Sequence, residues 1–388
     1  MKKTMTIAIA TYAYSDRNYG QILQAYALQK YLENCGYQVY IINYIPSNRE
    51  YRIGPNSLKQ KLKYIVKNLP LLKLYFIRKE NKRRHIEQQT NNRNFSDFKT
   101  KYIHYSERKY TLIKELRQNP PIADYYITGS DQVWARCVPN PYPYLLQFVD
   151  SPNKLAYAAS FGRSQLETYE RPIFKEELQK YRKIGVREVS GVEICNSLNL
   201  PNCQFTPDPT VLLKPLEWKQ LLTPGSLFKT PKKKIFIYSC YLRRDELIGK
   251  FVGLNDYEII IEDVINNDKD IANLSIEDWI KAIYEADYVI SNSFHATMFC
   301  LYLNTPFVTY QYIGAGSKMN TRLESILNQM GLMHHFVNPS TKLDAIFNIL
   351  NEQINWKPIN HKLNEIRDIG YKFLQDGLTY NNSMNQNK

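Results

Sequence analysis

The chain has 388 residues, 44% of them hydrophobic, and is long enough for two domains because single cores stop growing near about 250 to 300 residues. Lysine and arginine number 51 against 37 acidic residues, and the formal net charge of +14 favours anionic partners. Six cysteines without a C-x-x-C pair argue against a zinc site or a disulfide framework, and no segment approaches the roughly 18 uninterrupted apolar residues of a spanning helix.

The first part of the chain predicts a parallel α/β sheet. Met5–Tyr12 has the pattern of a strand, Gln21–Asn34 that of a helix ending before Gly36, and Val39–Tyr44 that of a second strand. This βαβ order is typical of a parallel sheet. The five residues from Thr6 to Ala10 are too few for the apolar region of a signal peptide, which needs about 7 to 15. Further strands are predicted at Tyr125–Thr128, Leu155–Ser160 and Ile184–Arg187.

A proline-rich linker leads to a second alternation of strands and helices. The predicted strands are Ile235–Ser239, Glu258–Glu262, Tyr288–Ser291 and Phe307–Tyr310, and the predicted helices are Ile276–Glu285 and Phe294–Leu303. We therefore predict an α/β protein with a Rossmann-like domain at 1–205, a second at 206–338, and a helical tail at 339–388 that packs back on the first domain.

The segment 57–85 differs in composition from both predicted domains. It interleaves ten basic residues and twelve apolar ones with a single acid, Glu80. Such a basic, amphipathic insertion can lie on an anionic membrane surface. A solvated face on a helical hairpin, broken at Pro70, explains the pattern equally well. RNA binding is the weakest interpretation because no RNA-binding motif accompanies the charge, and we expect no nucleic-acid partner.

His295 is the most informative candidate for a functional residue. It follows the predicted strand Tyr288–Ser291 and the N-cap candidate Ser293, which places the imidazole in the first turn of a helix. In an α/β sheet this carboxyl edge binds ligands, and the free N–H groups of the helix start favour an anion. Histidine can also carry a proton at neutral pH. The alternative is a capped core helix with an incidental histidine.

Two other clusters offer polar groups at the ends of predicted strands. Ser15, Asn18 and Gly20 precede the first helix, and suit a phosphate or a sugar hydroxyl, although the loop lacks the G-x-G-x-x-G motif of dinucleotide sites. A glycine needed only for the turn is the alternative. Ser130 and Asp131 stand beside Trp134, a carboxylate and aromatic pair that suits a carbohydrate. An aspartate N-cap with a core tryptophan explains that cluster equally well.

Three basic residues complete the predicted site. Arg187 ends an apolar strand, and its guanidinium fits a carboxylate or a phosphate, unless it pairs structurally with the adjacent Glu188. Lys318 and Arg322 lie on and after a glycine-containing loop, where they form either an anion pocket or a solvated turn. The sequence lacks a Ser-His-Asp elbow, an H-E-x-x-H motif and a P-loop, so these residues favour transfer of an anionic group without a metal.

Six segments, in this order along the chain, resemble the polysaccharide pyruvyl transferase family. They are YGQILQAYAL at 19–28, ITGSDQVW at 127–134, YAASFG at 157–162, VREVS at 186–190, PDPTVL at 207–212 and DYVISNSFHATMF at 287–299. The resemblance covers roughly Met5 to Leu332 and leaves out the basic insertion and the tail. It implies two Rossmann-like domains in a GT-B-like arrangement, with the active site in the cleft between them.

The resemblance also implies the reaction and the roles of the site residues. Its donor is phosphoenolpyruvate, its product is a pyruvate ketal bridging two sugar hydroxyls, and inorganic phosphate is released. His295 matches the family's SFH histidine, Arg187 matches the arginine of its V-R-E/D-x-S motif, and Lys318 or Arg322 corresponds to a downstream basic residue. We expect His295 to act as the acid, with Arg187, Lys318, Arg322 and Ser293 at the donor. Ser15, Asn18, Gly20, Ser130, Asp131 and Trp134 are expected at the acceptor.

The acceptor implied by the resemblance is a sugar of a cell-surface polysaccharide precursor, carried on a polyprenyl diphosphate. We therefore expect a cytoplasmic protein, peripheral at the inner face of the membrane if the segment 57–85 binds it, with no cofactor and no metal. The main rival function is a GT-B-type glycosyltransferase using a nucleotide sugar. A basic scaffold that binds anionic glycan or lipid is the non-catalytic alternative.

Overall fold

The computed structural model describes residues 4–46, 93–135, 142–240, 247–251, 253–264, 271–314, 317 and 320–379. Two predictions lie outside these residues, namely the basic insertion 57–85 and the donor role of Lys318. All structural statements that follow refer to the described residues.

Six parallel strands form the first sheet of the described chain. Their order across the sheet is β2-β1-β3-β4-β5-β6. The central strands β3 and β4 are buried along their whole length, which accounts for their continuous apolar runs, since helices cover both faces of a parallel sheet. The strands are Thr6–Ala10 (β1), Gln38–Ile41 (β2), Tyr125–Thr128 (β3), Lys154–Ala159 (β4), Lys183–Val186 (β5) and Cys203–Phe205 (β6).

The second sheet has five described strands, in the order β11-β10-β9-β7-β8. All of its pairings are parallel. The strands are Lys233–Ser239 (β7), Tyr257–Asp263 (β8), Tyr288–Ser291 (β9), Phe307–Tyr310 (β10) and Phe336–Val337 (β11). Two parallel Rossmann-like sheets in one chain confirm the predicted α/β fold class.

The helices lie between the strands and at the carboxyl end. Their starts follow ordinary capping chemistry; for example, the side chains of Asn18, Ser275 and Ser293 each accept a backbone N–H at a helix start. The helices are Tyr19–Asn34 (α1), Phe95–Tyr102 (α2), Ile113–Gln118 (α3), Arg171–Leu178 (α4), Val189–Ser197 (α5), Pro215–Lys219 (α6), Ile276–Glu285 (α7), Phe294–Leu303 (α8), Asn320–Met330 (α9), Leu343–Leu350 (α10) and Trp356–Thr379 (α11).

The last helix, α11, contacts strands of the first sheet. The Tyr125 hydroxyl donates to the carbonyl of Leu378 at 2.7 Å, and Lys183 lies 3.2 Å from Asp376. A Cβ at Gly377 would lie 2.2 Å from Cδ2 of Leu155, so the missing side chain lets the helix approach β4 closely. The domain boundaries at 205/206 and 338/339 stay predictions.

The start of α1 is joined to the second sheet by aromatic and polar contacts. The Tyr19 ring stacks on Trp279 of α7 at 5.1 Å between centroids, and its hydroxyl donates to the carbonyl of Leu274 at 2.7 Å. Nearby, Arg93 and Glu262 form an ion pair at 2.7 Å, with both side chains fully buried. These contacts hold the first turn of α1 against the second sheet.

Among the described residues, no helix combines the length and the apolar composition that crossing a bilayer requires.

Candidate active site

His295 lies where the second sheet meets the start of α1. Its ring is in the first turn of α8, directly after β9 and the N-cap Ser293, as the sequence predicts. A Cβ on Gly20 would lie only 2.0 Å from Nδ1 of His295, so the imidazole rests on the backbone of α1. Glycine is needed at position 20 because any side chain would displace this ring. Gly20, predicted at the acceptor, thus supports the histidine.

Asp208 faces the other side of the imidazole. Its Oδ2 lies 3.5 Å from Nε2 of His295 and accepts a hydrogen bond from Nη1 of Arg187 at 3.0 Å. Its Oδ1 accepts from the backbone N–H and the hydroxyl of Thr210 at 3.0 and 2.8 Å. Burial on its own raises the pKa of the Asp208 carboxyl, but His295 and Arg187 lower the pKa below its ordinary value. Asp208 is therefore a fixed anion behind the histidine.

Arg187 follows β5 and is almost completely buried, with 3% of its side chain exposed. Its Nε donates to Glu188 at 3.2 Å, and its Nη1 also reaches the Ser130 hydroxyl at 3.4 Å. Burial lowers its pKa, but the carboxylates of Glu188 and Asp208 outweigh burial and raise it above the ordinary value. The structural pair with Glu188 is therefore present, and Arg187 still has one buried nitrogen, Nη2, without a hydrogen-bond partner among the described residues.

The Phe294 ring lies close to the guanidinium of Arg187 and to a second guanidinium, that of Arg322. Its ring lies 5.9 Å from Cζ of Arg187 and 5.6 Å from Cζ of Arg322, which is the range of a cation–π contact. Arg322, in α9, is half-buried, and we find no ion pair for it in the described part of the chain. Burial and the neighbouring Arg187 lower its pKa, as expected for a cation that an anion would stabilise.

The remaining predicted residues of the loop before α1 are occupied by local hydrogen bonds. The Ser15 hydroxyl accepts the backbone N–H groups of Arg17 and Asn18 at 3.1 and 2.8 Å. The Asn18 side chain caps α1 by accepting the N–H of Gln21 at 3.1 Å. Both side chains shape the loop, and their role at an acceptor stays a prediction.

The predicted Ser130 to Trp134 cluster divides into two parts. Ser130 is buried beside Arg187, and Asp131 is half-buried in a left-handed backbone conformation with φ of 78°. Trp134 is only 1% exposed, its Nε1 donates to the carbonyl of Tyr144 at 2.8 Å, and its ring packs on Phe161. The prediction that Trp134 contacts a sugar is therefore wrong, because a core tryptophan has no free face.

Ser293 is buried, and its hydroxyl accepts the N–H of Ala296 at 3.4 Å as the cap of α8. Its predicted contact with the donor stays a prediction. Sequence reasoning missed Asp208 and Phe294 as parts of the site. Asp208 lies in the PDPTVL segment, whose match to the family pattern was the available signal.

A cavity of about 420 Å³ opens at the carboxyl ends of β1 and β2. The loop from Thr11 to Asn18 connects this cavity along the chain to Gly20, on which the His295 ring packs. The Tyr105 hydroxyl donates to the carbonyl of Ala13 at 2.5 Å and fixes this loop. A cavity of this volume, with mainly apolar walls and a few polar side chains, can hold a small ligand. Its lining includes Thr11, Tyr14, Asn43, Lys99, Thr100 and Tyr105.

The imidazole of His295 thus lies between the Asp208 carboxylate and the start of α1, next to two guanidinium groups. An imidazole in this position can protonate or orient a small anionic substrate. The sequence profile of the family described as polysaccharide pyruvyl transferase matches residues 18–313, more than half of the chain. The chain belongs to the polysaccharide pyruvyl transferase family. The resemblance found in the sequence motifs is thereby confirmed, and the family match supports a transferase of polysaccharide biosynthesis.

Three solved structures span almost the whole of this pyruvyl transferase family member at low identity. The S. aureus MnaA–UDP co-structure is 10% identical, covers 96% of this chain and 95% of its own, and has a TM-score of 0.46. The UDP-N-acetylglucosamine 2-epimerase from Rickettsia bellii is 12% identical, with 97% and 96% covered and a TM-score of 0.46. Spinosyn rhamnosyltransferase SpnG is 10% identical, with 96% and 99% covered and a TM-score of 0.47. No curated protein matches the sequence.

Proposed function

We propose that the protein transfers the enolpyruvyl group of phosphoenolpyruvate to two hydroxyls of a sugar, forming a pyruvate ketal and releasing inorganic phosphate. The observation that carries this proposal is the cluster of His295, Asp208, Arg187 and Arg322 around one place between the two sheets. The family match supports the transferase class, and the two guanidinium groups on Phe294 suit a donor with a carboxylate and a phosphate.

His295 supplies the proton in the proposed reaction. Its Nε2 faces the Asp208 carboxylate, whereas its Nδ1 faces the start of α1. Asp208 orients the ring and stabilises its protonated form, which is the form that delivers the proton. Positioned acids of this kind typically contribute about 10²- to 10⁴-fold in rate.

The bond changes balance without a metal or a redox partner. The proton joins the methylene carbon of the donor, which becomes a methyl group, and positive charge develops at the adjacent carbon. One sugar hydroxyl forms a C–O bond there, the bond to phosphate breaks, and a second hydroxyl closes the ketal. Of the two hydroxyl protons, one restores the acid and the other leaves with phosphate.

Arg322 is the stronger candidate for direct contact with the donor. The Arg187 guanidinium already pairs with Glu188 and Asp208, and only its Nη2 remains to bind an anion. The guanidinium of Arg322 lies on the same Phe294 ring and has no ion pair in the described part of the chain. We therefore assign Arg322 to the carboxylate or phosphate of the donor and Arg187 mainly to holding Asp208. The role of Lys318 remains a proposal from the sequence.

The proposed acceptor is a sugar on a polyprenyl diphosphate, and the cavity lined by Tyr14, Asn43 and Lys99 is the place that suits its sugar rings. The basic composition of residues 57–85 supports a location at the anionic inner membrane surface. Binding to vesicles with anionic lipid that weakens with added salt would support this location. No binding at low salt would refute it and leave the catalytic proposal unaffected.

The reaction is tested by incubating the protein with phosphoenolpyruvate and lipid-linked or aryl galactoside acceptors. We expect phosphate release that depends on the acceptor, together with an acceptor mass increased by one pyruvic acid minus water. Parallel reactions with nucleotide sugars test the glycosyltransferase alternative. Hexose transfer there, or turnover with neither donor class, would overturn the proposal.

A further inference from the structure

His335 is a buried histidine far from the candidate active site. It ends the short 3-10 turn Met333–His335 and is 0% exposed. Its Nδ1 lies 2.6 Å from the carbonyl oxygen of Phe307, the first residue of β10. His335 therefore lies at the amino edge of the second sheet, whereas His295 follows the carboxyl end of β9. The two histidines belong to opposite edges of the same parallel sheet.

The Phe307 contact fixes which ring nitrogen of His335 carries hydrogen. A carbonyl oxygen can only accept, so Nδ1 must donate and Nε2 keeps its lone pair in the neutral ring. Yet Nε2 has no hydrogen-bond partner among the described residues. Buried polar atoms normally have one, so this lone pair points to a ligand.

Two further potential ligand groups, His334 and Glu352, lie near the His335 ring. His334 places its Nε2 3.0 Å from Oε2 of Glu352, and the ligand atoms of His334, His335 and Glu352 all lie within 4.8 Å of one another. Zinc ligands at about 2.1 Å from a tetrahedral ion are about 3.4 Å apart. His334 and Glu352 have half-exposed side chains that can rotate to reach this spacing.

We propose that His334, His335 and Glu352 bind one divalent transition-metal ion, of which Zn²⁺ is the best fit. Two imidazoles and one carboxylate suit zinc, nickel or cobalt better than magnesium or calcium. A metal-bound histidine commonly donates its other N–H to a backbone carbonyl, as His335 does to Phe307. Three protein ligands leave one position for water.

Such an ion would join elements that are otherwise separate along the chain. Glu352 follows α10, and the two histidines lie between α9 and β11. Metal binding to the folded chain stabilises it by mass action. The site lies at the opposite edge of the second sheet from His295, so the ion takes no part in the proposed pyruvyl transfer.

The test uses the full-length protein without a histidine tag, stripped with EDTA and dialysed. Calorimetric titration with Zn²⁺ should show one tight site, and Co²⁺ should give visible absorption of a protein-bound ion. His334→Gln and Glu352→Gln should each weaken zinc binding by at least about tenfold. Both side chains are half-exposed, so the variants are expected to fold.

His361→Gln is the matched control because His361 forms an exposed pair with Glu365 at 3.4 Å and belongs to no three-ligand group in the described chain. It should bind zinc like the natural chain, as should His295→Gln. The absence of stoichiometric zinc binding, or binding that is unchanged in both Glu352→Gln and His334→Gln, would overturn the proposal. Phosphate release should persist in both ligand variants, which separates this site from the catalytic one.

Discussion

Two buried arginine–carboxylate networks connect the two sheets, and they differ in how fully their polar atoms are paired. In the first, Arg93 bonds to Glu262 and to the carbonyl of Asp263, and Glu262 also accepts the N–H of Leu274. In the second, Arg187 bonds to Glu188 and Asp208 but keeps Nη2 without a partner among the described residues. A fully paired network has no donor left for a ligand, whereas an incompletely paired one can also bind an anion.

The geometry around the two networks supports this distinction. The Arg93 pair is fully buried beside Tyr19, which anchors α1 to α7. The Arg187 network ends at His295, whose side chain is 14% exposed and can be reached from solvent. The first network therefore holds α1 in place, and the second uses that position, because α1 carries the Gly20 surface under the imidazole.

The largest expected effect of a single substitution is at the end of the incompletely paired network. His295→Gln should lower the rate of phosphate release by about 10²- to 10⁴-fold, because the positioned acid is lost. Its unfolding transition should stay near that of the natural chain. Steady-state kinetics and urea unfolding measure the two quantities, with His361→Gln as a surface control. Turnover close to normal in His295→Gln would remove histidine from the mechanism.

Glu262→Gln tests the fully paired network and should act mainly on stability. It leaves the Arg93 charge buried without its partner, which typically costs about 3 to 5 kcal/mol. Urea unfolding gives the free energy directly. The double variant Arg93→Met with Glu262→Met is the control, since replacing both charges by apolar groups is often neutral. An unfolding free energy unchanged by Glu262→Gln alone would show that the pair contributes nothing.

Gly20→Ala tests the contact between the two regions. The added Cβ would lie 2.0 Å from Nδ1 of His295, so the ring must move, and a displacement of about 1 Å at a reacting group can cost about 100-fold in rate. Alanine also favours a helix over glycine by about 1 kcal/mol, so stability should be largely retained. Kinetics beside thermal unfolding check both parts. Full activity in this variant would contradict the close packing.

The smallest effect is expected at Arg322. Arg322→Gln removes a cation next to the proposed donor, and a lost hydrogen bond to a charged group costs about 1.5 to 3 kcal/mol. The KM for phosphoenolpyruvate should therefore rise by about tenfold or more with a smaller change in kcat. Arg322→Lys keeps the charge and should recover part of the loss. A KM equal to that of the natural chain would place the donor elsewhere.

Much of the secondary structure could be predicted from local patterns. Tyr125–Thr128, Tyr288–Ser291 and Phe294–Leu303 have the predicted bounds, because apolar runs, helical spacing and N-cap residues act over a few neighbours. The strands Cys203–Phe205 and Phe336–Val337 were not predicted. With three and two residues, they are too short for a pattern and depend on the strand beside them.

The place of a candidate site residue was predictable where it depends only on the residue's position along its own element. His295 and Arg187 follow strand ends, which meet at one edge of a parallel sheet. Asp208 was missed because its carboxylate acts through partners 21 and 87 positions away, which no local pattern reports. Trp134 was assigned wrongly because an aromatic residue beside polar ones has the same local pattern whether its ring is buried or exposed.

The sequence by itself determined the family, the two α/β units and the place of the histidine, since motif order and hydrophobic spacing are properties of the chain alone. Only the tertiary structure decided that Gly20 supports His295, that Asp208 lies between His295 and Arg187, and that His335 has a free lone pair. The physical reason is that burial and hydrogen bonding at these atoms depend on elements that meet only when the two sheets pack together.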